Sequence, residues 1–133
     1  MIEKKKITVL LADDEVHIRV LMKKVLESMN AEVIAEAKNG AEAVQLYRQK
    51  RPKMVFLDIN MPMMDGITAL KEIKRDDPNA FVIMLTSLTV METVKECLSV
   101  GAANYIRKDT PLNELRMYVK ESWEMYRESL KEA

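Results

Sequence analysis

The sequence predicts an α/β fold in which a parallel five-stranded sheet is covered by helices on both faces. Five short apolar runs alternate with five longer amphipathic segments, an order that favours right-handed βαβ crossovers. Three of the apolar runs are nearly continuous, as expected of strands that are buried on both faces. The 133 residues contain no linker rich in Pro, Gly or Ser, so we expect a single domain over residues 1–133.

The amino-terminal half of the chain predicts three strands and two helices. An apolar run at residues 7–12 predicts the first strand, residues 32–37 alternate polar and apolar as a weaker second strand, and residues 54–57 form an apolar third. The first helix is predicted from an apolar stripe at three- and four-residue steps, which comprises Ile18, Leu21, Met22, Val25, Leu26 and Met29. A shorter stripe predicts the second helix and comprises Ala43, Val44 and Tyr47.

The carboxyl-terminal half continues the alternation. Apolar runs at residues 81–85 and 103–106 predict the fourth and fifth strands. Thr89 and Glu92 match a capping box that would begin the fourth helix, and Gly101 is typical of the position just past a helix end. The third helix is predicted from a stripe that comprises Ile67, Leu70 and Ile73.

The last helix has a clear start signal. Thr110 would cap it, and Pro111 would occupy its first position, where no backbone N–H is needed. Its apolar stripe, which Trp123 flanks, comprises Leu112, Leu115, Val119, Ser122 and Tyr126. Residues 127–133 are polar and charged, and we expect them to be either a fraying helix end or the stump of a linker.

Composition and charge exclude several classes of protein. The chain has 21 basic and 21 acidic residues, and this formal net charge of zero argues against a dedicated nucleic-acid-binding protein. The single cysteine, Cys97, excludes an internal disulfide bond, and its helical spacing favours burial as a small hydrophobic residue. No apolar run approaches the roughly 20 residues of a membrane span. The charged start does not resemble a signal peptide, so we expect a cytoplasmic protein.

Polar side chains follow four of the five predicted strands. Asp13 and Asp14 follow the first strand, Asp58 the third, Thr86 the fourth and Lys108 the fifth. The carboxyl ends of parallel strands meet at one edge of a sheet, where open α/β folds bind their ligands. We therefore expect three carboxylates, a hydroxyl and an ammonium group to lie together at this edge.

These groups suit the transfer of a phosphoryl group onto Asp58. Neighbouring carboxylates repel one another unless a cation lies among them, and oxygen ligands without His or Cys favour Mg²⁺. A carboxylate is already ionised at neutral pH and is a known nucleophile for forming an aspartyl phosphate. Lys108 and the Thr86 hydroxyl would each hold a phosphoryl oxygen. The alternatives are that Asp14 only caps a helix, that Thr86 is an ordinary strand residue and that Lys108 is solvated.

The same residues resemble the receiver domain of two-component response regulators, and the resemblance covers essentially the whole chain. It is carried by residues 10–15 (LLADDE), 57–66 (LDINMPMMDG), 85–87 (LTS) and 105–108 (YIRK). The resemblance implies a flavodoxin-like doubly wound (βα)5 fold with strand order 2-1-3-4-5. It also implies a phospho-accepting switch that catalyses only its own phosphorylation and dephosphorylation and is otherwise not an enzyme.

The resemblance implies roles for the residues at the strand ends. Asp58 would accept the phosphoryl group from a sensor histidine kinase or a phosphotransfer protein. Asp13, Asp58 and the backbone carbonyl of Asn60 would ligate Mg²⁺ directly, and Asp14 would act through water. Lys108 would contact the phosphoryl group that Asp58 carries.

The resemblance further implies a switch pair formed by Thr86 and Tyr105. On phosphorylation Thr86 would move toward the phosphoryl oxygen, and Tyr105 would move inward. The surface formed by the fourth helix, fifth strand and fifth helix would change and control a partner or an output domain. We expect a monomer or a phosphorylation-dependent dimer that contacts neither nucleic acid nor membrane directly.

The sequence departs from the receiver pattern after Lys108, where Asp109 stands in place of a common proline and adds an acid near the site. Leu88 stands at a position that is linked in the receiver family to the rate of dephosphorylation, and an apolar side chain there cannot orient an attacking water. From Leu88 and the amide at Asn60 we expect slow loss of phosphate. Two alternative functions stay open. One is a receiver-like interaction module that is never phosphorylated. The other is a phosphatase of the haloacid-dehalogenase type, which Asn60 disfavours because that family has a second acid there.

Overall fold

The computed structural model describes residues 6–87 and 91–131, in which five parallel strands alternate strictly with five helices. The strands are β1 (Ile7–Ala12), β2 (Ala31–Ala37), β3 (Met54–Asp58), β4 (Val82–Thr86) and β5 (Asn104–Arg107). The helices are α1 (Val16–Ser28), α2 (Gly40–Lys50), α3 (Gly66–Asp76), α4 (Met91–Val100) and α5 (Leu112–Lys131).

The sheet has the strand order β2-β1-β3-β4-β5, and every neighbouring pair of strands is parallel. This confirms the predicted doubly wound, flavodoxin-like (βα)5 fold. The order reverses between β1 and β3, which is the kind of position where such sheets bind ligands. The register pairs Ala12 with Leu57 and Asp58 with Leu85, so the residues that follow these strands come to one edge.

The sheet separates two apolar cores. One core contains Phe56 and packs between the sheet and the helices α1 and α5. The other contains Leu57 and the buried Cys97, and it packs between the sheet and the helices α2, α3 and α4. Phe56 and Leu57 are successive residues that are both fully buried, because alternate side chains of a strand point to opposite faces. Each such side chain stabilises the fold by roughly 1.5–3 kcal/mol.

Side-chain caps define where two of the helices begin. The Asn39 side chain accepts a hydrogen bond from the backbone N–H of Glu42 at the start of α2, and Asp65 does the same for Thr68 at the start of α3. These bonds satisfy backbone donors that have no partner within the helix. Gly101 follows α4 with a φ of 123°, which is the left-handed backbone expected of a glycine just past a helix end.

The last helix differs from its prediction in two respects. It begins at Leu112, and the carbonyl of Pro111 accepts a helical hydrogen bond from Leu115, so Thr110 precedes the cap position by one residue. Trp123 was predicted to flank the apolar stripe, but it is buried and its ring lies edge-on to Phe56 at 6.2 Å between centroids. Because an indole ring has a large apolar surface, burial of Trp123 against Phe56 is favourable.

Two predictions fall on residues outside the described ranges, namely the capping role of Thr89 and the effect of Leu88 on phosphate loss. The described part of the fourth helix begins at Met91. Among the described helices, none is both long and apolar enough to cross a membrane.

Candidate functional site

The carboxyl edge of the sheet brings together the charged residues that the sequence places after the strands. The side chains of Asp13 and Asp58 are 0% and 1% exposed, and that of Lys108 is 6% exposed. Asp14 lies at the exposed rim of the same pocket. Because buried charges are costly unless they are paired, the geometry of these groups decides what the pocket can do.

Lys108 lies at the centre of the pocket. Its Nζ donates a hydrogen bond to Asp58 Oδ2 at 3.1 Å and lies 2.9 Å from Asp13 Oδ2. The backbone N–H of Lys108 donates to the carbonyl of Thr86 at 2.8 Å, which fixes the chain where it leaves β5. Burial lowers the pKa of Lys108, but hydrogen bonds and charge from Asp13 and Asp58 outweigh burial and raise the pKa above its ordinary value. The ammonium group therefore keeps its proton.

Asp58 is held on both of its carboxylate oxygens. Its Oδ1 accepts a hydrogen bond from the backbone N–H of Asn60 at 3.2 Å, and its Oδ2 accepts the bond from Lys108. Burial, followed by the negative charge of Asp13, raises the pKa of Asp58 to about 7, against the opposing effects of Lys108 and Asn60. Without a further cation the carboxylate is thus only partly ionised at neutral pH, which differs from the simple expectation for an aspartate.

The connection between β3 and α3 turns back tightly onto the end of β3. The backbone N–H of Gly66 donates to the carbonyl of Ile59 at 2.8 Å, and the N–H of Ile59 donates to the carbonyl of Leu85 at 3.0 Å. A Cβ atom at residue 66 would overlap the carbonyl oxygen of Asp58, so only glycine fits at this position. This close approach keeps Asn60 beside the Asp58 carboxylate.

Two residues of the site escaped prediction, although the sequence carries a signal for both. Glu15 continues the acidic run, and its Oε2 lies 3.6 Å from Lys108 Nζ. Arg19 is one helical turn later on α1, and its Nη1 donates to the carbonyl of Asp13 at 2.6 Å. The spacing of four residues between Glu15 and Arg19 would have placed both on the face that looks toward the pocket.

The carboxylates fit a hard divalent cation. Asp13, Asp14 and Asp58 each offer an oxygen, and these three atoms lie within 4.8 Å of one another. Asp13 Oδ2 is buried, and although it is paired by charge with Lys108, it receives no well-directed hydrogen bond from the described residues. An oxygen-only donor set that includes such a buried atom suits Mg²⁺. The backbone carbonyl of Asn60 stays a predicted ligand.

The predicted switch residues lie on the two neighbouring strands β4 and β5. Thr86 is buried at the end of β4 and pairs with Arg107 in the sheet register. Tyr105 is half-buried on β5 and packs against the core that contains Leu57. Thr86 and Tyr105 thus lie on neighbouring strands, and their role as a pair stays a prediction.

The negative charge of Asp109 is paired with Arg107. The guanidinium group of Arg107 donates two hydrogen bonds to the Asp109 carboxylate, at 3.0 and 2.9 Å. Both side chains are about half exposed or more, and they lie outside the buried cluster around Lys108. The extra acid expected from the sequence is therefore neutralised by its neighbour on β5.

A buried aspartate at the switch point of a doubly wound sheet, with a lysine and two further aspartates beside it, indicates the class of receiver domains. The family model described as "Response regulator receiver domain" matches residues 9–120, which is most of the chain. The chain belongs to this family, whose members are signalling modules of two-component systems.

Named relatives and a solved structure agree with this assignment. The chemotaxis protein CheY of Bacillus subtilis (strain 168) is 43% identical over 100 residues, which cover 75% of this chain and 83% of that protein. The chemotaxis protein CheY of Halobacterium salinarum is 44% identical over 100 residues, which cover 75% and 82%. A chain from the crystal structure of the CheX–CheY–BeF3–Mg²⁺ complex of Borrelia burgdorferi superposes with a TM-score of 0.83 and 36% identity, covering 87% of this chain and 88% of that chain.

Proposed function

We propose that the protein is a phosphorylation-controlled switch in which Asp58 accepts a phosphoryl group from a histidine kinase or a phosphotransfer protein. The observation that carries the proposal is the position of the Lys108 ammonium group, 3.1 Å from Asp58 and 2.9 Å from Asp13 in a buried pocket. A lysine held between two acids supplies a fixed positive charge where phosphoryl oxygens would gather. The family of the chain and its likeness to CheY proteins support the same role.

The chain's own groups fit the chemistry of this transfer. A bond forms between a carboxylate oxygen of Asp58 and phosphorus, the bond from phosphorus to the donor nitrogen breaks, and the electron pair stays on that nitrogen. Lys108 and the hydroxyl of Thr86 would each hold a phosphoryl oxygen as charge spreads over the group. Asp13, Asp58 and the Asn60 carbonyl would bind Mg²⁺ directly and Asp14 through water. The ion supplies charge neutralisation at the phosphoryl oxygens.

The readout of the switch would be the face formed by α4, β5 and α5. Thr86 and Tyr105 would connect this face to the pocket, and their positions at the end of β4 and on the adjacent strand β5 support this role. A new contact between Thr86 and a phosphoryl oxygen would favour one of two arrangements of this face. The partner or output domain that reads it would bind one arrangement better than the other.

The two alternative functions make different demands on the pocket. A module that is never phosphorylated does not need Lys108 buried among carboxylates, because that arrangement costs desolvation energy without benefit to folding. A phosphatase of the haloacid-dehalogenase type needs an acid two residues after the nucleophile, and Asn60 stands there instead. The phospho-accepting switch therefore accounts for more of the pocket than either alternative.

Phosphorylation by small molecules tests the proposal without a known kinase. The protein is mixed with Mg²⁺ and phosphoramidate and followed by intact-protein mass spectrometry. We expect one phosphoryl group per chain in the wild type and none in Asp58→Asn. Asp65→Asn is the matched control, because asparagine caps α3 as well as aspartate does and should leave phosphorylation unchanged. Phosphorylation of Asp58→Asn, or continuous hydrolysis of the phosphoryl donor, would overturn the proposal.

The lifetime of the phosphate tests the prediction made for Leu88. We expect slow loss of phosphate from the wild type and faster loss after Leu88→Glu or Leu88→Gln, because a polar side chain would orient an attacking water. Unchanged loss in both variants would contradict this prediction and leave the acceptor assignment untouched.

A further inference from the structure

Arg19 is a mostly buried cation that the proposed chemistry does not use. Its side chain is 18% exposed, although arginine is almost never buried without a partner. Its Nη1 donates to the backbone carbonyl of Asp13 at 2.6 Å, and its Nε lies 3.4 Å from Glu36 Oε1 on β2. The guanidinium group thus bridges the loop that follows β1 and the neighbouring strand.

The loop is anchored at Asp13 by three separate hydrogen bonds. The N–H of Asp13 donates to the carbonyl of Ala37 at 3.0 Å, and Asp13 Oδ1 accepts from the N–H of Glu15 at 2.8 Å. Arg19 supplies the third bond, to the Asp13 carbonyl. These three bonds leave Oδ2 as the atom of Asp13 that faces Lys108 and the cation pocket.

We propose that Arg19 is a positioning residue that holds Asp13 in the orientation needed to bind a divalent cation. This inference rests on the proposed function, since it takes Asp13 as a cation ligand. Partners that orient a metal ligand commonly change metal affinity about 10–100-fold when they are removed. Arg19 has the geometry of such a partner, because its planar fork can serve the Asp13 carbonyl and the Glu36 carboxylate at the same time.

Charge alone would have the opposite effect on the cation. The positive charge of Arg19 repels a divalent ion in the pocket, so its removal should tighten binding if electrostatics dominate. If positioning dominates, its removal should weaken binding because Asp13 loses one of the three hydrogen bonds that fix its orientation. The sign of the change in affinity therefore separates the two effects, and a charge-preserving substitution separates them again.

The test uses Mg²⁺ alone, in isothermal titration and in thermal melts with increasing Mg²⁺, so that no phosphorylation is involved. We expect Arg19→Gln to bind Mg²⁺ about tenfold more weakly than the wild type. Arg19→Lys keeps the charge but cannot serve both partners, so we expect its Mg²⁺ affinity to lie between those of Arg19→Gln and the wild type. Lys23→Gln is the matched control, because Lys23 also pairs with Glu36, at 3.7 Å, and should bind Mg²⁺ as the wild type does.

Each outcome separates this inference from the proposed function. Tighter binding by Arg19→Gln, or unchanged binding by Arg19→Lys, would overturn the positioning role while the wild type still bound Mg²⁺. A wild type that bound no Mg²⁺ would overturn the cation site itself. Arg19→Lys keeps the helical propensity and the charge of the native residue, so a failure of Arg19→Gln to fold would leave the decision to Arg19→Lys.

Discussion

Replacement of Asp58 by asparagine should stabilise the metal-free fold. Burial and the charge of Asp13 raise the pKa of Asp58 from 3.8 to about 7, so the folded state disfavours the ionised carboxylate. At about 1.36 kcal/mol per pH unit, this difference of roughly three units corresponds to at most about 4 kcal/mol. Relaxation of the pocket reduces the effect, and we expect a gain of roughly 2 kcal/mol at pH 8.

The dependence on pH follows from the same raised pKa. The favourable contribution of the protonated Asp58 is fully present below about pH 4 and is lost as pH rises through about 7. The free energy of unfolding of the wild type should therefore fall between about pH 4 and about pH 7, and that of Asp58→Asn should not show this fall. Urea unfolding with a chelator at pH 5 and pH 8 measures the difference.

Asp76→Asn is the control, because the hydrogen bond from Arg48 lowers the pKa of Asp76 and the variant should not gain stability. An Asp58→Asn protein that unfolded more easily than the wild type at pH 8 would refute the reasoning.

Substitutions at three further positions test the packing and hydrogen bonding of the fold. Tyr47→Phe removes the hydrogen bond to Asp77 and should cost about 1 kcal/mol at pH 7. This bond lowers the pKa of Asp77, so its contribution to the free energy of unfolding is present above about pH 4 and is lost in acid. Equal unfolding midpoints of the wild type and Tyr47→Phe at pH 7 would contradict this prediction. Trp123→Phe should lower the free energy of unfolding by less than about 2 kcal/mol, because the indole N–H has no hydrogen-bond partner among the described residues. Trp123→Ala leaves a cavity and should lower it by about 3–5 kcal/mol. Equal losses for the two variants in urea titrations would contradict this prediction. Gly66→Ala should lower both the melting temperature and the rate of phosphorylation by phosphoramidate, because the Cβ atom of the alanine displaces the Asp58 carbonyl. A rate equal to that of the wild type would exclude this displacement.

The fold could be predicted because each strand and helix has its own period of apolar residues. The continuous run in β3 and the three- and four-residue steps in α1 depend only on local spacing. The burial of Trp123 could not be predicted in this way. It depends on the distance between α5 and Phe56 across a helix–sheet interface, which no local pattern encodes.

Part of the site could be predicted because the carboxyl ends of parallel strands meet at one edge of the sheet. This argument brings Asp13, Asp58 and Lys108 together from three separate stretches of sequence. This argument does not include Arg19. The spacing from Glu15 indicates only which face of α1 Arg19 lies on, and the bond to the Asp13 carbonyl depends on the rotamer of its side chain. Nor could this argument give the raised pKa of Asp58, which reflects burial first and the neighbouring charge of Asp13 second.

The division of the interior by the sheet has a consequence for engineering. Phe56 and Leu57 belong to different cores although they are adjacent in the sequence. Volume changes on one side must cross a hydrogen-bonded backbone layer before they reach the other side. The two halves of the interior can therefore be redesigned as separate modules, and the free-energy effects of substitutions placed far apart on opposite sides should add.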